Sequence, residues 1–378
     1  MKVSRSASIS AAPAAARERG GQAWTAFWFT PVAPIGLHVL RVLVGLLLLG
    51  WLLPFAGYLD TLFGLQGWFD QKAYTEVGRL PAELFPPLGW SPIFLFGRDP
   101  GTLTVFYSGS IAVLVLFTLG VAPRLTSVLA WLVTVAFTSN PIIYYDGDVL
   151  LRILAFYVML GYLPLGLLDE DQSLASRLLG RTWFLSRSAS RPSLSANLAL
   201  RLLQVHLAIV IVTSGLHKLQ FGDWWGGVAL WYALYPPLET TLADARAHAN
   251  QAENYLLLLS LAAYAVLLWQ LGFPLYAWRR RMRPVLLGGA LIGWLGTAFI
   301  YRLPLIGPAT LIGCLAFVTA DEWRRLFGWL AQQPGLHWLA RLVPPAAAER
   351  EAAGVRHDRA ASPEAHFARS EAVTSKVQ

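Results

Sequence analysis

Long apolar stretches alternate with short polar segments along most of the 378-residue chain. Each stretch approaches the roughly 20 residues that an α-helix needs to cross the hydrocarbon core of a bilayer. The pattern therefore predicts an all-α polytopic membrane bundle with eight spans. The predicted spans are 35–56, 102–122, 124–140, 148–166, 196–216, 254–277, 284–302 and 304–320.

The segment before the first span has a different pattern. In residues 1–34 we expect a disordered tail over about the first twenty positions, followed by a short interfacial helix. Trp24, Phe27 and Trp28 fall on one face of that helix, and two prolines end it. The apolar run that starts at Ile35 is too long for the core of a cleaved signal peptide, so we expect it to be a retained span.

Residues 35–320 form the predicted transmembrane domain. Its two longest connections, 57–101 and 217–253, lie on the same side, and the first is rich in aromatic residues and prolines that favour interfacial or re-entrant helices. After the last span, tryptophans and leucines recur at helical spacing over 321–344, which predicts amphipathic helices. The mixed charges and alanines of 345–378 predict a disordered tail.

Composition supports the membrane assignment. The chain is 56% hydrophobic and 14% charged, whereas soluble domains carry roughly 25% charged residues. Its 16 tryptophans and 13 tyrosines suit the aromatic belts at membrane surfaces. Cys314 is the single cysteine, which excludes an intrachain disulfide and a cysteine-based zinc site.

The net charge of +8 follows topology and does not require a nucleic-acid partner. In an eight-span arrangement, one side receives the basic amino-terminal segment, Arg124, the loop 167–195, the "WRRRMR" segment at 278–283 and the arginines after the last span. Basic loops face the cytoplasm, so both ends are predicted there, in a multi-pass protein of the bacterial cell (plasma or inner) membrane.

The fifth predicted span carries most of the polar groups that point to chemistry. His206, Thr213 and His217 are seven and four residues apart and share one helical face, while Ser214 and Lys218 share the adjacent face. Polar groups inside a membrane usually face a cavity or the bundle interior. The strip predicts a lining for a substrate or proton path that ends at the non-cytoplasmic mouth, with Lys218 as a base.

A structural interpretation of the same residues stays open. Lys218 can extend to the membrane surface as an anchor beside Trp224 and Trp225, as lysines and tryptophans commonly do. Histidine and threonine are also ordinary partners in hydrogen bonds between helices. Spacing alone does not decide between a base and an anchor.

A second polar group precedes the fourth span, in "NPIIYYDGDVLLR" at 140–152. Asp148 and Arg152 are four residues apart, which favours an ion pair on one helix. The functional interpretation is that Asp146 and Asp148 form a carboxylate pair at the same mouth as Lys218. Two carboxylates without further ligands do not predict a metal site.

Within the predicted spans, four further polar residues have an expected role. Arg41 and Arg201 sit about one turn inside the cytoplasmic ends, where we expect them to extend to the surface or contact lipid phosphate. His38 is expected to be a hydrogen-bonded packing residue. Gln270 precedes a predicted helix break at 272–274 and could bond the backbone groups that the break frees.

Four segments, taken in order, resemble one known family. "GLHKLQFGDWWGGVAL" is similar to the signature of the HTTM (horizontally transferred transmembrane) family, bacterial relatives of the membrane domain of the vitamin K-dependent γ-carboxylase. "LRVLVGLLLLGWL", "GDVLLRILAFYVMLGYLPLGLLDED" and "LWQLGFPLYAW" resemble its opening span, its central span and its "wE-x-x-fP" segment. The resemblance covers roughly 35–320 and implies the fold of that family.

The resemblance also implies a chemistry. Lys218 matches the lysine regarded in the carboxylase as the base that deprotonates reduced vitamin K, after which oxygenation gives an epoxide and a strong base that removes a glutamate γ-proton. A lipophilic small molecule, such as a reduced naphthoquinone, is the implied cofactor or substrate, and the lipid bilayer is the implied partner. The expected site comprises Lys218, His217 and His206 as base and proton relay, with Asp146, Asp148, Arg152, Thr213, Ser214, Trp224, Trp225 and Gln270 at the mouth.

The chain departs from the carboxylase at several points. His217 stands where the carboxylase has a second lysine, and Gln270 stands where the family usually has an acid. The carboxylase has a large soluble domain that recognises protein substrates, whereas after the last span here we expect only amphipathic helices and a tail. We therefore do not expect carboxylation of protein glutamates. A non-catalytic lipid-binding or scaffolding protein, or a transporter, remains the alternative, and the sequence names no protein partner.

Overall fold

A computed structural model describes residues 11–81, 91–96, 99–165, 192–235, 241, 243, 247 and 253–334. In these ranges the regular structure is helical, apart from one isolated β-bridge between Val32 and Ser193. The predicted fold class, an all-α membrane bundle, is confirmed.

The described helices include long ones that form the bundle and short ones in the connections between them. Short 3-10 turns at Leu53–Gly57 and Arg280–Met282 extend two of them. In chain order the helices are α1 (Ala11–Phe29), α2 (Ile35–Leu52), α3 (Leu59–Phe63), α4 (Gln71–Val77), α5 (Pro92–Phe96), α6 (Pro100–Leu119), α7 (Pro123–Thr138), α8 (Asp146–Tyr162), α9 (Leu194–Lys218), α10 (Gly222–Trp225), α11 (Ala229–Leu234), α12 (Glu253–Tyr276), α13 (Arg283–Phe299), α14 (Ile306–Leu315) and α15 (Ala320–Leu330).

Each of the eight predicted spans coincides with one of these helices. In the described ranges, five segments are long and apolar enough to cross a membrane: α2 with its 3-10 turn, α6, α9, α12, and α13 with the turn before it. Helices α7 and α8 are shorter, with 16 and 17 residues. The span count of eight is therefore not established by length and composition alone.

The predicted eighth span, 304–320, is the least accurate. Helix α14 has only 10 residues, about 15 Å of helix, half the thickness of a hydrocarbon core. It packs against α2, α8, α9 and α13. The contacts are close, because a Cβ added to Gly313 would lie 3.0 Å from Leu207 of α9. A short helix that is surrounded by other helices is as apolar as a membrane span. Hydropathy therefore predicted a span longer than the helix itself.

Successive bundle helices run in opposite directions. Tyr162, the last residue of α8, bonds His38 near the start of α2. At the other end, Tyr107 near the start of α6 donates to the carbonyl of Leu53 just after α2, over 3.0 Å. We call the end that holds the first residues of α9 the arginine side, and the end that holds Lys218 the lysine side.

Short helices cover part of the lysine side. Phe63, Phe69 and Phe94, from the connection between α2 and α6, are buried against the bundle. The amide of Asn140, after α7, donates to the carbonyl of Leu62 over 2.8 Å. The described parts of the 57–101 connection thus form small helices packed on the bundle.

Two peripheral helices lie on the arginine side. Helix α1 begins at Ala11, so the predicted disordered tail is wrong for residues 11–20. Its end is fixed to α9 by Asn197, whose amide donates to the carbonyls of Phe27 and Trp28. Helix α15 begins with a reciprocal cap between Thr319 and Glu322. The predicted tails at 1–10 and 345–378, and the predicted helix beyond 334, lie outside the described residues.

Candidate functional site

The carboxyl-terminal half of α9 has two faces with different surroundings. Ile211 and Gly215 are buried in the bundle, and Ser214 and Lys218 lie on the same face and are half-buried. This is the spacing of three, four and seven residues that defines one side of a helix. The face that carries Ser214 and Lys218 therefore points into the bundle.

The other predicted strip faces outward. Thr213 and His217 are exposed, beside Leu216, whose surface is 52% exposed. The prediction that Thr213 and His217 line an interior path is wrong, because spacing determines which residues share a face and not where that face points. His217 contacts Phe221 edge to face, with ring centroids 5.1 Å apart.

Lys218 is held by its own helix. Its Nζ donates a hydrogen bond of 2.8 Å to Oγ of Ser214, one turn earlier. Helical side chains tilt toward the amino terminus of the helix, so this direction is the natural one for a lysine that folds back. Lys218 is the last residue of α9, so the direction toward the amino terminus of this helix leads into the membrane. The Lys218 ammonium therefore lies deeper in the membrane than the Lys218 backbone.

The two adjacent tryptophans have different roles. The Nζ of Lys218 lies 5.4 Å from the centroid of the Trp224 ring, within cation–π range. Trp225 is 63% exposed, and its indole donates to the carbonyl of Leu219 over 2.6 Å. The hydroxyl of Tyr264 from α12 donates to the Trp225 carbonyl over 2.7 Å. Trp224 is thus part of the lysine site, whereas Trp225 fixes α10 between α9 and α12.

Asp146 supplies a negative charge near the lysine. It is the first residue of α8 and is exposed, and its carboxylate lies close enough to Lys218 to act electrostatically on the ammonium. The structure describes no ion pair between them within 4 Å. The prediction that Asp146 and Lys218 share one mouth agrees with this arrangement.

Asp148 and Arg152 do not form the expected ion pair in the described structure. Asp148 is buried, and its carboxylate accepts a hydrogen bond from the backbone N–H of Tyr145 over 3.1 Å. Arg152 turns toward α7, where its Nη2 donates to the carbonyl of Thr138 over 3.0 Å, and it stacks on Tyr144. The terminal carbonyls of α7 attract a cation, which explains why Arg152 turns away from Asp148.

Tyr145 fixes the start of α8. Its ring lies over Gly147, where an added Cβ would be 2.7 Å from the ring carbon Cζ. A glycine is needed at this position because the ring occupies the space of a side chain. Burial raises the pKa of the Tyr145 phenol to about 12, and the nearby Asp148 carboxylate adds to the effect.

Gln270 lies opposite the lysine face. A Cβ added to Gly215 would lie 3.0 Å from the Cβ of Gln270, so α12 and α9 are in close contact there. The predicted break is wrong, because α12 continues through Pro274 to Tyr276. Gln270 does not bond freed backbone: its Oε1 is buried and has no hydrogen-bond partner in the described structure. The Tyr276 hydroxyl donates to a neighbouring carbonyl, that of Trp269, over 2.7 Å.

His206 belongs to a different part of α9. Its Nδ1 lies 3.0 Å from the hydroxyl of Tyr157 on α8. Twelve residues separate it from Lys218, about 18 Å along the helix axis. The predicted relay from His206 to Lys218 has no direct contact to support it, and His206 joins two helices instead.

A buried polar cluster lies at the arginine side and was not predicted from residue spacing. Arg41 has 0% exposure, and its Nη1 donates to the hydroxyl of Tyr162 over 3.2 Å. The prediction that Arg41 extends to the membrane surface is therefore wrong. His38 bonds the same hydroxyl, as expected for a packing histidine. The three-residue spacing of His38 and Arg41 was the available signal, because it places both on one face of α2.

In the described ranges, no three His, Cys, Asp or Glu side chains come together as metal ligands. No protein-family model, curated protein or solved structure matches the chain. The resemblance to the HTTM family stays a prediction that depends on the motifs alone.

Proposed function

We propose that the protein is a membrane enzyme in which Lys218 is the general base that removes a proton from a hydroxyl group of a lipophilic substrate. The observation that carries this proposal is the hydrogen bond from Lys218 Nζ to Ser214 Oγ, which holds the amine inside the bundle. The HTTM-like motifs are consistent with it and favour a reduced naphthoquinone as the substrate.

The direction of the lysine side chain argues against a simple anchor. An anchoring lysine at the carboxyl end of a helix reaches past that end toward water. Lys218 instead reaches back by one turn, about 5.4 Å along the axis, to a serine on the inward face. A Lys218 amine held at the inward face of α9 is placed to contact a substrate that enters from the bilayer.

The neighbouring side chains suit a hydroquinone. The ring of Trp224 offers an apolar wall next to the amine, and the free Oε1 of Gln270 can accept a hydrogen bond from a hydroxyl group. Asp146 would stabilise the ammonium once Lys218 has taken a proton. The overall reaction balances as hydroquinone plus O₂ giving quinone epoxide plus water.

Oxygen uptake tests this proposal. The purified protein in nanodiscs is given a reduced naphthoquinone, and O₂ consumption is followed for the wild type, Lys218→Ala and Lys218→Arg, with empty nanodiscs as the blank. We expect uptake above the blank for the wild type and loss in both variants, because arginine keeps an anchoring charge and cannot act as the base. Thr213→Ala is the matched control on the outer face and should retain activity.

Three results would count against the proposal. Uptake that is equal in the wild type and Lys218→Ala would show that the lysine is not the base. Activity retained by Lys218→Arg would favour the anchor. Absence of uptake in every protein would reject the naphthoquinone and leave the lipid-binding, scaffolding and transport alternatives.

We also propose that the arginine side faces the cytoplasm of a bacterial cell membrane. Among the described residues, that side holds Arg124, the arginines of the 278–283 segment, Arg324 and Arg325, as expected under the positive-inside rule. The native thiol, Cys314, is fully buried, so single cysteines introduced elsewhere can be labelled with little background. A membrane-impermeant maleimide should label Lys72→Cys on intact cells and Arg281→Cys only after lysis. The reverse pattern would invert the topology.

A further inference from the structure

Two arginines on the arginine side pair with one carboxylate, and a third arginine lies near them. Glu322 of α15 lies 3.4 Å from the Nε of Arg280 and 3.6 Å from the Nε of Arg283. Arg201 of α9 lies near enough to Arg283 for the Arg283 charge to act on it electrostatically. Among the residues that the structure describes, no other carboxylate contacts these three arginines. The cluster therefore carries an excess of two positive charges.

Arg201 and Arg283 are held by their surroundings, whereas the Arg280 side chain is 60% exposed. The guanidinium of Arg201 lies 4.2 Å from the ring centroid of Phe27 on α1, and its Nη1 donates to Oε1 of Gln204 over 2.9 Å. The side chains of Arg283 and Glu322 are only 13% and 17% exposed. Like charges that are kept close together and partly out of water are costly unless an anion joins them.

The position of the arginine cluster in the bundle indicates which kind of anion could bind it. Arg201 is seven residues after Leu194, about 10 Å into α9, at a depth where α1 packs its aromatic side chains against the bundle. Next to it, α13 starts at Arg283 without a side-chain cap, so its amino-terminal N–H groups also favour an anion. The outer face of α13 is apolar and open: Ile292 is 71% exposed and Phe299 is 79% exposed. Acyl chains can lie on that face while a headgroup stays at the arginines.

We propose that Arg201, Arg280 and Arg283 form a binding site for the phosphate of an anionic phospholipid. Guanidinium groups match phosphate oxygens in geometry and charge. The two uncompensated charges favour an anionic lipid over a zwitterionic one. This site is distinct from the lysine site, about 26 Å away along α9, and does not depend on the function proposed for Lys218.

Lipid titration of the full-length protein tests the site. Delipidated protein in detergent is titrated with phosphatidylglycerol or with phosphatidylcholine of the same acyl chains, and bound lipid is counted by native mass spectrometry beside the Tm. We expect phosphatidylglycerol to bind preferentially and to raise the Tm. Arg201→Gln and Arg283→Gln should each weaken that binding about fivefold. Arg281→Gln removes the same charge from an exposed position in the same loop and should bind as the wild type does.

Glu322→Gln provides a test in the opposite direction. Glutamine preserves the capping role of Glu322 and removes the one carboxylate, so phosphatidylglycerol should bind more tightly than to the wild type. This variant and Arg283→Gln keep the test decisive if Arg201→Gln fails to insert. Equal losses in Arg281→Gln and Arg283→Gln, equal binding of both lipids, or full stabilisation by inorganic phosphate alone would each overturn the proposal.

Discussion

Arg41 donates a hydrogen bond to the hydroxyl of Tyr162 across 3.2 Å, at a point where Arg41 has no exposed surface. His38 bonds the same oxygen, so one hydroxyl joins two polar side chains of α2 to the end of α8. A charge in such a place is tolerated only with polar partners around it. The Tyr162 hydroxyl is therefore a structural element of the bundle.

Removing that hydroxyl should destabilise the protein. Tyr162→Phe keeps the ring and deprives two buried polar side chains of a shared partner, which should cost about 2–3 kcal/mol. Thermal unfolding of the purified protein in detergent measures the change, and a Tm several degrees below that of the wild type is expected. Tyr264→Phe removes a hydroxyl that donates to a carbonyl at a 39% exposed position and should lower the Tm much less. Equal shifts would refute the structural role.

The direction of Lys218 predicts a labelling pattern. The chain has four lysines, Lys2, Lys72, Lys218 and Lys376, and Lys72 is exposed on the lysine side. Because Lys218 is folded back to Ser214 and lies against Trp224, a water-soluble amine reagent should modify it more slowly than Lys72. Peptide mass spectrometry after timed labelling gives the ratio of the two rates.

Ser214→Ala should then raise the labelling rate of Lys218 relative to Lys72, because the bond that draws the ammonium inward is lost. Thr213→Ala, at the adjacent exposed position, is the control and should leave the ratio unchanged. A lysine that reacts as fast as Lys72 in the wild type would contradict the inward arrangement and favour an interfacial anchor.

Hydrophobic periodicity was enough to predict where helices occur and was not enough to orient them. Ser214 and Lys218 were correctly grouped by spacing, as were Thr213 and His217. Which group faces inward depends on contacts with α8 and α12, and those contacts join residues far apart in the sequence. The same limit explains Arg41: its position near a helix end favoured the surface, whereas the central place of α2 buries it.

A close crossing of α2 and α6 gives a second test of packing. A Cβ added to Gly45 would lie 2.2 Å from Oγ1 of Thr118 and 3.1 Å from its Cα, so the two helices have no room for a methyl group. Gly45→Ala should destabilise the bundle by about 1–3 kcal/mol through overpacking. The Tm in detergent reports the loss.

Gly50→Ala is the matched control for this crossing. It lies on the same helix, and an added Cβ there meets nothing within 4 Å. Alanine favours the helix over glycine by about 1 kcal/mol, so this variant should be at least as stable as the wild type. A Tm loss in Gly50→Ala equal to that in Gly45→Ala would show that the crossing is not as close as described.

The phenol of Tyr145 predicts a change in stability at alkaline pH. Burial raises its pKa from the ordinary value of 10.0 to about 12 in the folded protein. Below pH 10 the group is protonated in both states, whereas between pH 10 and 12 the unfolded chain loses this proton more readily than the folded one. Stability should therefore fall as the pH rises through this window.

Tyr145→Phe removes the contribution, so its Tm should fall less steeply than that of the wild type between pH 10 and 12. Tyr58→Phe, at a 63% exposed position on the same side, controls for the loss of one phenol, and a curve for Tyr145→Phe that matches this control would contradict the assignment.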